Sequence, residues 1–408
     1  MRVRLPPSAE KGGVDCLRVF YVHEDRLPSD NPLGGHVYGV GLHLSKLGCE
    51  VCLILMYGSW AVENLHSFYF GREPLTPIRN LKLWPVFSLS PFARLIGIRT
   101  SWPMLRLTRS VVDFTQPNVL LFSEWKTARF FLQYRNPHIK YVQEILNLPF
   151  YLSSNKEDKK RVSLNEQKTI LEFKNTLHAT DLVIVPTEEL LKQLQSPPYF
   201  MRDITIRVLP LASSENRLPK KCDTNDKLIK LFYVGNLEEW NGLDDLAVAM
   251  EDLLDIELHI VTQDKKRLSS LKSAMGSILG SHRFFIHNLS NFKKKRELVC
   301  EADAFVSPFR NHSPCVYEGH PSLPDYMAWC RPILAPNFPV VRQLLPKGPW
   351  EGLLYQHGSI ESMRDKLKLF QNPTYRFMIS ESLYDFHLER CSEQCRIRQM
   401  KRLIETCR

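Results

Sequence analysis

The chain has 408 residues, of which 44% are hydrophobic and 24% charged. That length exceeds one ordinary core and that balance excludes a disordered chain, so two folded domains of roughly 150–200 residues are expected. A formal charge of +10 points to anionic company, and nucleotide diphosphates, nucleic acid and acidic lipid surfaces satisfy it equally.

Ten cysteines are scattered without a CxxC pair or a zinc-spaced His/Cys quartet, which reads as reduced thiols in a cytoplasmic protein with no metal site. Cys391 and Cys395, four apart on a helical pattern, read as packing or solvent positions. The N-terminal MRVRLPPSAEKGG lacks an apolar signal core, and no apolar run of ~18 residues occurs, so no membrane span is expected.

In chain order, short apolar runs rich in β-branched and aromatic residues recur: LRVFYV (17–22), VCLILM (51–56), NVLLFS (118–123), IKYVQE (139–144), DLVIVP (181–186) and ITIRVLPLA (204–212). Buried parallel strands read this way. Between them, GGHVYGVGLHLSKLG (34–48) and SLNEQKTILEFKNTLHA (163–179) repeat apolar residues at the helix period. Alternation of the two patterns predicts an α/β domain over 1–212. A polar stretch at 213–227, SSENRLPKKCDTNDK, reads as a linker.

A second series follows: KLIKLFYVG (227–235), IELHIVT (256–262), RFFIHNL (283–289), DAFVSPF (303–309), RPILAP (331–336) and GLLYQ (352–356). It predicts a second doubly wound domain over 213–372, with the ligand in a central cleft at the carboxyl ends of the strands. The basic, helical 373–408 is expected to pack back on the first domain.

Gly34 and Gly35 are read as a turn before a helix whose N-terminal amides favour a phosphate. They lack the GxGxxG spacing of a dinucleotide site, which weighs against redox chemistry. His36 follows them, and it is the one histidine placed at the cleft. Glu144, with Gln143 as its rival, closes IKYVQE at a strand end, where a carboxylate can act on a bound group or stabilise developing positive charge. In the second half, LFYVGNLEEWNGLDDLAVAM (231–250) reads as a strand, a glycine turn and a helix. EGHPSLPDYMAWCRPILAP (318–336) sets Glu318 and Asp325 at a strand end, where carboxylates can accept paired hydrogen bonds from hydroxyl groups.

These segments resemble the family-4 glycosyltransferases, retaining enzymes of the GT-B architecture with two Rossmann-like domains. Val234, Gly235 and Gly242 match that family's "VGR…KG" turn, while Asn236 and Asn241 stand where Arg and Lys are usual. ADAFVSPF followed by Glu318, Asp325, Met327, Ala328, Pro332 and Ala335 is similar to "aDvfv.PS…EG…EAMAcG.PVvA", although the acids are one residue closer and the second is Asp. In the first half, GGHVYGVGLHLSKLGCEV, ATDLVIVPTEEL and VLPLASSENRLP match loosely and in the right order.

The resemblance implies transfer of a sugar from a nucleotide-sugar donor to a glycan, lipid-linked or small-molecule acceptor, with retention and with no metal or bound cofactor. It places Glu318 on donor-sugar hydroxyls, Asp325 on the ribose, and the amides near Gly319 and His320 on the diphosphate. With both usual cations replaced, Arg310 is expected to stabilise the leaving group, ahead of Lys265 and Lys266. A GT-B-like sugar-nucleotide epimerase and a non-catalytic binding protein of the same fold are the alternatives, and nucleic acid is not expected as a partner. The Arg- and apolar-rich 90–112 segment can lie on an anionic membrane surface, whereas FKKKRE (292–297) reads as a solvated helix start.

Overall fold

The structure is a computed structural model describing residues 16–27, 32–57, 62–70, 78, 80–85, 101–149, 163–219, 228–264, 267–288, 292–311 and 314–407. The chain divides into two compact units, one formed by 1–185, 194–208 and 397–408, the other by 186–193 and 209–396.

The first unit holds a parallel sheet of β1 (Arg18–Arg26), β2 (Glu50–Tyr57), β3 (Leu81–Pro85), β4 (Val119–Phe122), β5 (Lys140–Glu144), β6 (Leu182–Val185) and β7 (Ile206–Val208), in the order β3-β2-β1-β4-β5-β6-β7. VLLF of β4 and LVIV of β6 are buried throughout, because a parallel sheet covered on both faces has no polar side. Helices start where the sequence supplies caps. Ser163 and Glu166 form a reciprocal capping box at 3.3 and 2.7 Å ahead of helix Leu164–His178. Residues 397–408 supply part of helix Glu393–Thr406 to this unit: Lys401 Nζ donates to Leu47 O at 3.1 Å, and Lys140 Nζ donates to Ile404 O at 2.9 Å.

The second unit is a parallel sheet of β8 (Ile229–Val234), β9 (Ile256–Thr262), β10 (Phe284–Asn288), β11 (Ala304–Val306), β12 (Ile333–Pro336) and β13 (Leu354–Tyr355), in the order β10-β9-β8-β11-β12-β13. Its core centres on Phe305, whose ring stacks on Tyr326 at 4.5 Å and tilts against Trp329 at 5.0 Å. All three are essentially unexposed, and truncating such an aromatic costs about 3–5 kcal/mol.

Two placements differ from the expected boundaries. Helix Pro373–Phe386 lies in the second unit, and only the end of the chain joins the first. The 213–219 part of the expected linker is tied down: Ser213 N donates to Cys391 O at 3.1 Å, Glu393 N donates to Ser213 O at 2.9 Å, and Leu218 is buried. The remainder of the stretch, 220–227, lies outside the described residues.

Each sheet runs outward in both directions from a central pair, β1 with β4 and β8 with β11. The chain therefore leaves β1 and β4, and again β8 and β11, toward opposite edges, opening a crevice at their carboxyl ends.

Candidate functional site

In the second unit the switch point is built around β8. Tyr326 Oη accepts from Val234 N at 3.1 Å and lies 3.3 Å from Val234 O, while Ser322 Oγ donates to the same carbonyl at 3.2 Å. These two residues, one helical turn apart in Ser322–Ala328, pin the end of the strand. Gly235 follows, where an added Cβ would lie 2.6 Å from Tyr233 Oη. The Tyr233 hydroxyl and Asn241 Nδ2 both donate to Asn236 O, at 2.6 and 2.8 Å. Asn236 is thus held through its backbone with its side chain exposed, and Asn241 is a buried brace for the turn. Gly242 then passes against the loop after β11 with φ +61°, so close that a Cβ would sit 2.2 Å from Pro308 O.

Arg310 does not stand open to a diphosphate. Its Nε and Nη2 donate to the two oxygens of Asp245 at 2.7 and 2.8 Å, Nη2 reaches Asp244 at 2.7 Å, and Nη1 reaches Glu239 O at 3.2 Å. The two carboxylates hold its charge in place and raise its pKa. The expected role at the leaving group would require this cation to release both carboxylates. Lys265 and Lys266 lie outside the described residues.

Glu318 ends the short helix Cys315–Glu318 and is half-buried. Gly319 caps it at φ 84°, ψ 156°, a region essentially reserved for glycine. Its N–H donates to Cys315 O at 3.2 Å, so this amide is occupied rather than offered to a diphosphate. His320 is buried, stacked 5.2 Å from the Phe309 ring, and burial pushes its pKa down to about 4. The Nδ1 of His320 and the Oγ of buried Ser307 have no partner among the described residues.

Asp325 turns to a different face of its helix from Ser322 and Tyr326. Ser213 Oγ donates to its Oδ1 at 2.5 Å, and Lys295 Nζ lies 3.7 Å from Oδ2 and 3.9 Å from Glu215. Burial raises its pKa to about 6, with Lys295 pulling it down and Glu215 pushing it up. Lys295 also sits 5.0 Å over the Trp329 ring with 13% of its side chain exposed. It belongs to the FKKKRE run, so this member of the run is packed rather than solvated. The available signal is the i, i+4 spacing of Asp325 and Trp329, a carboxylate and an aromatic face that together suit one ammonium.

In the first unit Gly34 and Gly35 do not precede their helix. The helix spans Pro32–Lys46, and they sit inside its first turn, because a proline with preset φ starts it two residues earlier. At the carboxyl ends of the strands, His23 Nδ1 meets Ser123 Oγ at 3.1 Å across β1 and β4. Buried Glu144 accepts from Tyr21 Oη at 3.1 Å and from His36 Nε2 at 2.9 Å. Its neighbour Gln143 is equally buried, and its Nε2 donates to Phe122 O and Glu144 O. Glu144 is thus fully buried with Tyr21 and His36 as donors on one oxygen, rather than open at the strand end. Among the described residues no group of three or more His, Cys, Asp or Glu is placed to hold a metal ion, and no helix is long and apolar enough to cross a membrane.

Comparison with known proteins places this geometry. Residues 229–371 match the family model described as glycosyl transferases group 1. An uncharacterized glycosyltransferase of Methanocaldococcus jannaschii is 24% identical over 216 residues, 51% of this chain and 52% of that protein, so the match spans about half the length of the curated relative. Sucrose-phosphate synthase from Thermosynechococcus elongatus shares the fold at a TM-score of 0.66 and 12% identity, over 95% of this chain and 98% of that one. The Anabaena protein HepE, solved with UDP and glucose, does so at 0.61 and 10% identity, over 96% and 100%. The match to the glycosyl transferases group 1 model thus spans the second sheet, residues 229–371, and the chain with its two Rossmann-like units shares the GT-B fold of these solved structures.

Proposed function

We propose that the chain transfers a sugar from a nucleoside-diphosphate sugar, with a UDP-sugar as the first candidate, to a hydroxyl on a glycan or lipid-linked glycan. The observation that carries this reading is the match of residues 229–371 to the glycosyl transferases group 1 model, which covers the β8–β11 switch point and the Glu318 loop. A half-buried carboxylate at the end of a helix is suited to accepting hydrogen bonds from sugar hydroxyls, and Glu318 is assigned that role. Asp325 is assigned the ribose, reached once Lys295 and Ser213 yield one of its oxygens. Retention and independence of a metal belong to the same proposal, with helix N-termini rather than Arg310 facing the leaving diphosphate.

A screen of UDP-, GDP- and ADP-sugars by thermal shift tests the donor, since a ligand at a hundred times its Kd stabilises by about 2.7 kcal/mol. No shift with any of them removes the reading. Glu318→Gln then lowers kcat sharply with an unchanged melting temperature, and NMR of the fresh product reads its anomeric configuration in buffer with and without EDTA. A non-catalytic binding protein is the second reading, favoured by Asn236, Asn241 and the occupied Arg310; it requires a shift without turnover. Interconversion of the donor sugar without an acceptor would instead mark an epimerase.

Cytoplasmic residence with peripheral contact at an anionic membrane is the proposed setting. Most of the 90–112 segment that motivates it lies outside the described side chains, and flotation with anionic liposomes checks it.

A further inference from the structure

The polar group at the carboxyl ends of β1 and β5 has a definite polarity. Glu144 is fully buried, and a buried carboxylate is tolerated only where N–H and O–H donors converge on it. Tyr21 and His36 are two such donors, at 3.1 and 2.9 Å on the same oxygen, Oε2. His36 projects from the first turn of helix Pro32–Lys46 with 14% of its side chain exposed. Its Nδ1 makes no hydrogen bond among the described residues.

A carboxylate at Nε2 requires the proton there, so in the neutral ring Nδ1 is left as a bare lone pair. The ring is thereby a hydrogen-bond acceptor at Nδ1. With a negative charge behind it, it suits a neutral O–H donor better than a phosphate. This is the orienting logic of a buried acid behind a histidine, without any requirement that a proton be transferred.

We propose that His36 reads a sugar hydroxyl: Nδ1 accepts a hydrogen bond from an alcohol of the bound substrate. Glu144 and Tyr21 are positioning residues that fix the tautomer and ring plane. The inference rests on the glycosyltransferase reading and adds to it the group in the first unit that touches a sugar. The hydroxyl belongs either to the donor's sugar or to the acceptor's, and the arms of the test separate them.

Histidine side-chain 15N NMR of the unliganded wild type comes first, because it needs no turnover. The expected result is a protonated Nε2 and an unprotonated Nδ1 at His36, with Glu144→Gln mixing the tautomers since a carboxamide can also donate. A protonated Nδ1 in the wild type overturns the proposal whether or not the chain transfers sugar. Wild type that binds no nucleotide sugar in the thermal screen, by contrast, sinks the parent reading and the sugar contact with it, while the tautomer result stands separately.

In the binding arm, Kd for UDP and for UDP-glucose is measured on wild type, His36→Leu and His36→Gln. In the kinetic arm, KM for each substrate and kcat are measured on the same three. His36→Leu should leave the UDP Kd within about twofold and weaken the sugar-bearing partner roughly tenfold, the size of one hydrogen bond left unmade. If the donor's sugar is read, the loss falls on UDP-glucose; if the acceptor is read, it falls on the acceptor KM. His36→Gln, which offers both an N–H for Glu144 and an outward acceptor, should recover most of the loss. Weaker UDP binding in His36→Leu, wild-type kinetics in it, or no recovery in a folded His36→Gln each overturns the assignment.

Discussion

Arg310 grips Asp245 through two parallel hydrogen bonds, Nε to Oδ2 at 2.7 Å and Nη2 to Oδ1 at 2.8 Å, and Asp244 takes a third at 2.7 Å. The pair ties the loop after β11 to the first turn of helix Leu243–Met250. Both side chains are about a third exposed, so solvent screening limits the pair to about 1 kcal/mol. Arg310→Ala should therefore lower the melting temperature by about 2–4 °C and leave the donor Kd within twofold. Melting curves and calorimetric titration with UDP-sugar check this. A tenfold weaker donor at an unchanged melting temperature would mean that the guanidinium leaves its carboxylates to reach the diphosphate.

Asn236 and Asn241 look alike in sequence, yet the fold uses them differently. Asn241 is buried and its Nδ2 braces the Asn236 carbonyl, whereas the Asn236 side chain is exposed. Restoring a cation at each should give opposite results. Asn236→Arg should fold normally and tighten donor binding, because its charge stays in water until an anion arrives. Asn241→Lys should cost at least about 3 kcal/mol, because an unpaired ammonium would be buried and a backbone carbonyl would lose one of its donors. Urea unfolding of the two variants side by side measures the difference; equal stabilities would show that the turn rearranges.

These contrasts mark how far the sequence is legible. All six strands of the second sheet coincide with apolar runs: an inner strand such as β8 is apolar because it is covered on both faces, whereas the edge strand β10, FFIHN, has no fully buried residue. In the first sheet β3, LKLWP, escapes that reading: it is an edge strand with Lys82 between leucines, and among its described side chains only Leu81 is buried. Chain order also fixed the two-unit plan and the approximate place of the Glu318 loop. What it could not supply is who pairs with whom. The partners of Arg310 are 65 and 66 residues away, and those of Asp325 include one 112 residues away. Such pairings follow from tertiary packing that no local pattern encodes. Hence Arg310 read as a free cation and Lys295 as a solvated one.

Two glycines with left-handed backbone separate strain from collision. Gly242 has φ +61° and a would-be Cβ 2.2 Å from Pro308 O, whereas Gly358 has φ +72° and nothing within 4 Å. Gly358→Ala should cost about 1–2 kcal/mol, the penalty of a Cβ in the left-handed region alone. Gly242→Ala should cost clearly more, because backbone must move as well. Since Gly242 N bonds Glu239 O at 3.3 Å in the turn that also holds Asn241, that movement should weaken donor binding too. Equal melting temperatures for the two variants would show that the β11 loop shifts freely.

Asp325 gives the sharpest pH test. Burial raises its pKa to about 6, against the pull of Lys295 at 3.7 Å, whereas an unfolded-chain aspartate titrates near ~3.9. Between those values the folded state holds a proton that the unfolded state has released, so this group's contribution to stability falls as pH rises from about 4 to 6 and stays lost above. With 28% of the side chain exposed the effect should be on the order of 1 kcal/mol rather than the full shift. Asp325→Asn cannot ionise, so its stability relative to wild type should rise by that amount between pH 4 and pH 7. Lys295→Met should enlarge the wild-type slope by removing the cation that favours the carboxylate. Urea unfolding across that window decides it: a wild type that gains stability over Asp325→Asn with rising pH would mean that Lys295 outweighs burial and the aspartate is ionised in the fold throughout.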